Sequence, residues 1–368
     1  MIVLKSEELK KVCSSVLQGV DVSGLYDITE IIQIKIENNN LIFSVTNGEY
    51  YLKYTLNVDS SEVINASVNA KTFLKLVSKV TSETISMEVK DNNLIIEANG
   101  TYKLPIVYKN DVMLEVEEID ISNVTSTFQI NSDILKSIWC YNTSEISKGV
   151  MTSPVQKLYY VDEKGCITFT TGACVNYFSL PTPVKLLFNK RLVNLLRLFE
   201  EEVVNFELGQ DSINGTVLTK VRFKTDSLTI TSLLNSDPTL LSSVPAEAIR
   251  DRAEDDYKYV AVINRQGLIN SLDRLSLFVD QNFNPFVKLN CEQSNISVSD
   301  LNGNNVEILN CEGGSSIADK YEMLLGLNDL KNTLSIYSDD YISFNFGNHQ
   351  AVVISKNNIK TIIPEVTA

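Results

Sequence analysis

Two periodicities alternate along the chain. Runs of strictly alternating apolar and polar residues predict half-buried strands. Stretches in which apolar residues return three and four positions on predict amphipathic helices. The first junction between the two reads Val3-Leu4-Lys5-Ser6-Glu7-Glu8-Leu9. The same grammar returns at Phe128-Gln129-Ile130-Asn131-Ser132-Asp133-Ile134-Leu135 and at Val260-Ala261-Val262-Ile263-Asn264-Arg265-Gln266-Gly267-Leu268. Each junction carries a serine or asparagine, whose side-chain oxygen suits the free amides of a first helical turn. Leu9, Leu135 and Leu268 take equivalent places, 126 and 133 residues apart.

A second helix recurs in each third, over Asn69 to Val77, Asn189 to Leu196 and Asn328 to Leu334. Hairpins surround the helices. Ile34-Lys35-Ile36 turns through Asn38-Asn39-Asn40 into Leu41-Ile42-Phe43, and Ser86-Met87-Glu88-Val89 through Asp91-Asn92-Asn93 into Leu94-Ile95-Ile96. Asn and Asp tolerate the left-handed conformation that such two-residue turns require. Val204 to Leu208 and Ile342 to Phe346 repeat the strand pattern later on. The fold class is therefore α+β, with three similar modules of two helices on mainly antiparallel sheets. The modules span residues 1–126, 127–254 and 255–368, and Ser122 to Thr127 and Ala246 to Asp256 read as linkers.

Composition narrows the function. The 368 residues are 44% apolar and 21% charged, enough for a packed core. The six cysteines form no CxxC pair, which predicts buried reduced thiols in a cytoplasmic protein. The start, Met1-Ile2-Val3-Leu4-Lys5, carries no secretory pattern, and no apolar run approaches the roughly 20 residues of a membrane helix. The single histidine, His349, sits in a turn-like stretch, so zinc sites and histidine-based nucleophilic chemistry lack their parts. No phosphate loop or dinucleotide fingerprint is present. The carboxylate clusters at Glu200-Glu201-Glu202, Glu254-Asp255-Asp256 and Asp339-Asp340 lie at helix ends and linkers and read as solvated. Asp300 to Asn305 reads as a hairpin turn. No catalytic constellation, cofactor or metal site is expected.

With 32 basic and 46 acidic residues the net charge is −14, which argues against a broadly basic surface. The predicted helices carry a different balance. Lys10, Lys71, Lys75, Lys79, Lys136, Lys190, Arg191, Arg197 and Arg265 all fall on them. Lys71, Lys75 and Lys79 stand four apart on one helical face. Like charges at that spacing oppose an isolated helix, so the stripe points to an anionic partner. Lysines act as mobile point charges without base readout, which suits a polyanion passing along one surface.

Several segments are similar to the bacterial sliding clamp, the β subunit of the replicative DNA polymerase. Ile167-Thr168-Phe169-Thr170-Thr171-Gly172-Ala173-Cys174-Val175, followed by Ser179-Leu180-Pro181, resembles the family's strand ending in Thr-Asp-Gly-His-Arg-Leu. Asp237-Pro238-Thr239-Leu240-Leu241-Ser242-Ser243-Val244-Pro245 resembles its Phe-Pro-Asp-Tyr loop, and Thr361-Ile362-Ile363-Pro364 its Val-Met-Pro ending. The resemblance spans nearly the whole chain and, with the three modules, implies a ring formed head to tail by two chains. The ring encircles double-stranded DNA without sequence specificity and tethers the replicative DNA polymerase, and a clamp loader places it.

The resemblance also assigns residues. A partner peptide would bind at Thr170, Gly172, Val175, Pro238, Leu240, Ile362, Ile363 and Pro364. The homodimer would close through Tyr102 and Leu104 of one chain against Phe278 and Val279 of the other. Helix lysines and arginines would face DNA. Departures accompany the likeness. Thr171 replaces the family's aspartate, Ala173-Cys174 its His-Arg, and Leu240 and Ser242 the tyrosine and arginine of the proline loop. Gly19 to Gly24 replaces a basic loop, and Glu365-Val366-Thr367-Ala368 stands in place of Met-x-Leu. A phage-encoded or divergent clamp would fit this pattern. Two rival readings are a virion component built of repeated modules, which would assemble without DNA, and a carboxylate metal enzyme, which would bind divalent cations.

Overall fold

The computed structural model describes residues 1–20, 27–59, 62–138, 155, 158–169, 172–181, 184–213, 216–235, 237–279, 285–348 and 351–366. The first third runs β1 (Ile2–Lys5), α1 (Ser6–Leu17), β2 (Ile31–Glu37), β3 (Asn40–Thr46), β4 (Tyr50–Asn57), β5 (Asn65–Asn69), α2 (Ala70–Lys79), β6 (Thr84–Lys90), β7 (Asn93–Glu97) and β8 (Thr101–Pro105). A small hairpin, β9 (Tyr108–Lys109) and β10 (Val112–Met113), follows. Next come β11 (Val124–Asn131), α3 (Ser132–Ser137), β12 (Leu158–Asp162), β13 (Gly165–Phe169), β14 (Ala173–Tyr177), β15 (Leu186–Asn189), α4 (Lys190–Leu196), β16 (Val203–Ile213), β17 (Thr216–Lys224) and β18 (Leu228–Leu234). Two helices, α5 (Pro238–Ser242) and α6 (Ala246–Glu254), precede β19 (Tyr259–Asn264), α7 (Arg265–Leu275), β20 (Phe286–Glu292), β21 (Asn295–Ser299), β22 (Val306–Asn310) and β23 (Tyr321–Gly326). The chain continues through α8 (Leu327–Leu334), β24 (Tyr341–Phe346), β25 (Ala351–Lys356) and β26 (Ile359–Pro364).

The expected α+β class with antiparallel strands is what the structure has, and residues 127–254 carry α5 and α6 beyond the two helices expected there. The strand-to-helix junction recurs three times in one geometry. The amide of the first helical residue donates to a carbonyl just before the neighbouring strand, Ser6 to Glu83, Ser132 to Glu202 and Arg265 to Asp340, at 2.9, 2.9 and 2.8 Å. The turns behave as their residue types demand. Asn38-Asn39 and Asp91-Asn92 take φ values of 50° and 60°, and 49° and 58°. Asn69 and Asn264 cap α2 and α7 by accepting from the amides of Thr72 and Gly267 at 2.9 and 2.7 Å. Ser6 does not cap α1. It is the first helical residue, and its buried hydroxyl meets no hydrogen-bond partner.

The strands sort into two compact units. One comprises residues 1–136 and 191–236, the other residues 137–190 and 237–368. The first unit holds the sheets β1-β6-β7-β8 and β11-β16-β17-β18-β4-β3-β2-β5. Its α1 and α2 lie side by side and bury Leu9, Val12 and Val16 with Phe73, Leu74 and Val77. The second unit holds β15-β12-β13-β14-β26-β25-β24-β19 and β22-β21-β20-β23. There α7 and α8 bury Leu268, Leu272, Leu275, Leu330 and Leu334 in one core with Phe344 and Phe346. Each eight-stranded sheet joins strands from both sides of an expected module boundary, with Ile230 opposite Leu52 in one and Val175 opposite Lys360 in the other.

Both expected linkers form regular structure. Residues from Val124 on pair with β16 as β11. Ala246 to Glu254 is helical because Ala246, Arg250 and Ala253, three to four apart, are buried on one side.

Candidate functional site

In the second unit an apolar cluster forms where β14 meets β26 under α5 and α6. Period-two alternation in β13 and β14 turns Ile167, Ala173 and Val175 toward it, and β26 adds Ile362. Leu240, Leu241, Val244, Ala246, Ile249 and Ala253 close it from the helical side. Asp237 opens α5 by accepting from the Thr239 amide at 2.8 Å, with Pro238 at the first helical position. The strands approach closely at Gly172. A Cβ there would stand 1.9 Å from the Ile362 carbonyl oxygen, so no larger residue fits.

A buried ion pair pins α6. Arg250 donates to both carboxylate oxygens of Asp162, at 2.7 and 2.8 Å, and the two side chains are only 5% and 6% exposed. Lys164 to Glu247, at 2.9 Å, and Lys360 to Glu254, at 2.6 Å, add exposed contacts. The Lys360 ammonium holds the Glu254 carboxyl below its ordinary pKa.

Of the eight expected pocket residues, Gly172, Val175, Leu240 and Ile362 come together here. Thr170 lies outside the described residues. Val175 is fully buried, so it packs beneath the cluster instead of lining a surface. Ile363 points the other way, into the core with Leu334 and Phe344, because adjacent strand residues face opposite sides. Pro238 and Pro364 are exposed at the edge. Cys174 also faces away from the cluster, next to the Thr361 hydroxyl at 3.7 Å, and burial pushes its thiol up to about 12. Phe169, Leu241, Val244 and Ile249 escaped the sequence reading, although helical spacing over Ala246, Ile249 and Ala253 signals the last wall.

The basic side chains fall into several environments. Lys71, Lys75 and Lys79 are exposed along α2, on the side away from Phe73, Leu74 and Val77. None of the three has a carboxylate within ion-pair distance among the described residues. Lys10 is half-buried on α1. Lys136 reaches Asp133 and the Ser132 hydroxyl at 3.4 and 3.3 Å. Lys190 opens α4, and Arg197 follows its end as an exposed residue. Arg191 stacks over the Tyr50 ring, 5.7 Å from its centroid. Arg265 is turned to structural use. Its guanidinium donates to the carbonyls of Asp339, at 2.8 Å, and Leu334, at 3.4 Å, and so braces the end of α8.

Two edge strands carry exposed apolar side chains. On β8 Tyr102 is 36% exposed, but Leu104 alternates inward and is 8% exposed, so it cannot offer its side chain to a second chain. Phe278 is 60% exposed, whereas Val279 packs onto its own core. Leu277, at 79%, and Ile308 on β22, at 69%, are exposed apolar residues that the sequence reading missed. Alternation in Val306-Glu307-Ile308 signals the outward pair on β22.

This architecture is that of the bacterial sliding clamps of DNA polymerase, and the likeness extends over the chain's full length. The fold matches the DNA polymerase sliding clamp of Bacillus subtilis with a TM-score of 0.76 and 17% identity, covering 100% of this chain and 98% of that one. The sliding clamp of Pseudomonas aeruginosa gives 0.78 and 13%, over 100% and 99%. The DNA polymerase III β subunit of Thermotoga maritima also gives 0.78 and 13%, over 100% and 99%. No family model matches the chain, and neither does any curated protein.

Proposed function

We propose that this chain is a DNA sliding clamp and processivity factor. The observation that carries this reading is the fold match over essentially the entire length of both this chain and several clamps. In this reading the three modules, bounded near residues 126 and 254, form half of a ring. Two chains close it head to tail, with β8 of one against β22 of the other. Tyr102 on the first edge, and Phe278, Leu277 and Ile308 near the second, support that pairing, since open apolar edges favour strand addition. The ring is not an enzyme. It encircles duplex DNA in the cytoplasm at the nucleoid, is placed by a clamp loader, and tethers the replicative polymerase.

The tether is a short hydrophobic peptide seated beside Gly172, Leu240, Leu241 and Ile362, with Pro238 and Pro364 at the edge. A largely apolar surface between two strands and a helix suits such an anchor. With Ala173 and Ser242 where the family has large polar side chains, the anchor is read mainly by apolar contact.

The DNA side rests on the α2 stripe. Replacing Lys71, Lys75 and Lys79 with glutamate should slow loading onto circular DNA and flatten the dependence of loading on salt. Each lost phosphate contact releases about 0.9 fewer counterions, so the logarithmic salt slope should fall by up to about 3. Loading rates measured across a salt series check this, and an unchanged slope removes α2 from the DNA surface.

A further inference from the structure

The third module ends as the first does, with one pair of residues changed in kind. Strands β8 and β26 both stop at a proline, Pro105 and Pro364. The amide two residues on then donates to a strand of a second sheet, Val107 to the Ser67 carbonyl at 2.8 Å and Val366 to the Leu324 carbonyl at 2.9 Å. Ser67 and Leu324 each stand three residues before a helix, α2 and α8, so the two bonds are equivalent. Ile64 and Tyr321, three residues further back, correspond in the same way.

In the first module these places are apolar and buried. Ile106 is 8% exposed and Ile64 1%. In the third, Glu365 and Tyr321 take them. The Tyr321 hydroxyl faces both carboxylate oxygens, at 3.1 and 3.0 Å. The carboxylate is half-buried, and no lysine or arginine lies within ion-pair distance of it among the described residues. Burial raises the Glu365 carboxyl above its ordinary range. The titratable groups around it are Tyr321, Tyr257 before β19 and Cys291 on β20. Burial lifts all three, Tyr321 and Cys291 to about 12, so none is charged near neutral pH. Asp319, beyond the Tyr259 ring, is kept ionised by the Tyr259 hydroxyl and the Lys258 ammonium. Pro364 itself meets the peptide surface. A Cβ on Gly172 would stand 3.3 Å from the Pro364 Cδ.

We propose that Pro364-Glu365-Val366 is a strap gated by charge. With the Glu365 carboxyl neutral it seats on β23 as residues 105–107 seat on β5. With the carboxyl ionised it loosens and opens the Pro364 edge of the peptide surface. The gate stands on the strap alone, and its effect on that surface rests on the peptide reading. Burial sets the direction, since an ionised carboxylate without a counter-charge is costly to cover. A carboxyl raised by seating favours the seated strap fully at low pH, and that advantage is lost as pH rises through the raised value. Val107, next to Ile106, has no such dependence and is the control within the same molecule.

Hydrogen exchange of the Val366 and Val107 amides is measured on the full chain at about pH 5 and about pH 8, each corrected for its intrinsic rate. Protection of Val366 should fall at least about threefold between the two, with Val107 unchanged. Glu365→Gln should hold Val366 at the higher protection throughout. Tyr321→Phe removes the donor to the ionised form and should widen the fall. A pH-independent Val366, a fall that persists in Glu365→Gln, or a fall shared by Val107 would each overturn the gate. Acetyl-Leu-Leu-amide then probes the surface, followed by the methyl signals of Leu240 and Ile362. The parent should bind it at least about threefold more tightly at the lower pH, and Glu365→Gln equally at both. Equal binding by the parent would overturn the link from gate to surface. No binding by either protein, with Val366 behaving as described, would remove the peptide reading and leave the gate standing.

Discussion

Arg250→Ala should destabilise the second unit by about 3–5 kcal/mol, because it leaves the Asp162 carboxylate buried without its counter-charge. The pair is almost wholly inside the protein, with both guanidinium amino groups committed to one carboxylate. Removing one partner is therefore far worse than removing both. Asp162→Leu with Arg250→Met should recover most of the loss, since an apolar pair of similar volume carries no desolvation cost. The contrast separates this pair from its exposed neighbours. Glu247→Ala and Glu254→Ala break contacts on the outer side of α6 and should cost about 1 kcal/mol at most. Urea unfolding curves of the single and double variants, followed by a probe in the second unit, check the order. A double variant as unstable as Arg250→Ala would mean that the loss does not come from a buried Asp162 carboxylate left without its counter-charge.

Charging the β22 side of the expected ring, through Ile308→Lys with Phe278→Glu, should convert a two-chain particle into single chains. Both side chains are more than half exposed in the isolated chain, so neither substitution disturbs the core. In a closed ring each would bury a charge against apolar surface. At about 2 kcal/mol or more for each lost anchor, the pair should weaken association roughly a thousandfold. Light scattering at micromolar concentration should report half the mass of the parent protein, with thermal unfolding of the monomer unchanged. Leu104→Arg is a poor probe of the same interface. That side chain is buried within its own chain, and a charge there would unfold the sheet before it opened a ring.

What was legible in the sequence was whatever local chemistry decides. Asn38-Asn39 and Asp91-Asn92 announce their turns because few residues accept that backbone. The Lys71, Lys75, Lys79 spacing announces an exposed face because burying it is prohibitive. Side-chain direction within strands was harder. Ile362 and Ile363 are neighbours of one chemical type, and only the pairing of β26 with β14 shows which of them faces the apolar cluster under α5 and α6. Leu104 and Val175 failed for the same reason, since resemblance located the strand without fixing its face. The helix α6 was hidden by its polarity. Arg250 reads as solvent-facing until Asp162, 88 residues away in sequence, is brought to it by the fold. Arg265 looked like a phosphate ligand because its carbonyl partners carry no side-chain signature.

The central claim, that two chains enclose duplex DNA, is tested most directly by topology. The protein is loaded onto a nicked circular plasmid by a clamp loader, separated from free protein by gel filtration, and passed over the column again after a single restriction cut. A clamp held by enclosure stays with the circle in salt that removes ordinary phosphate contacts, and leaves once the DNA has ends. Retention on the linear product, or loss from the intact circle at the same salt, would contradict enclosure and leave only surface binding.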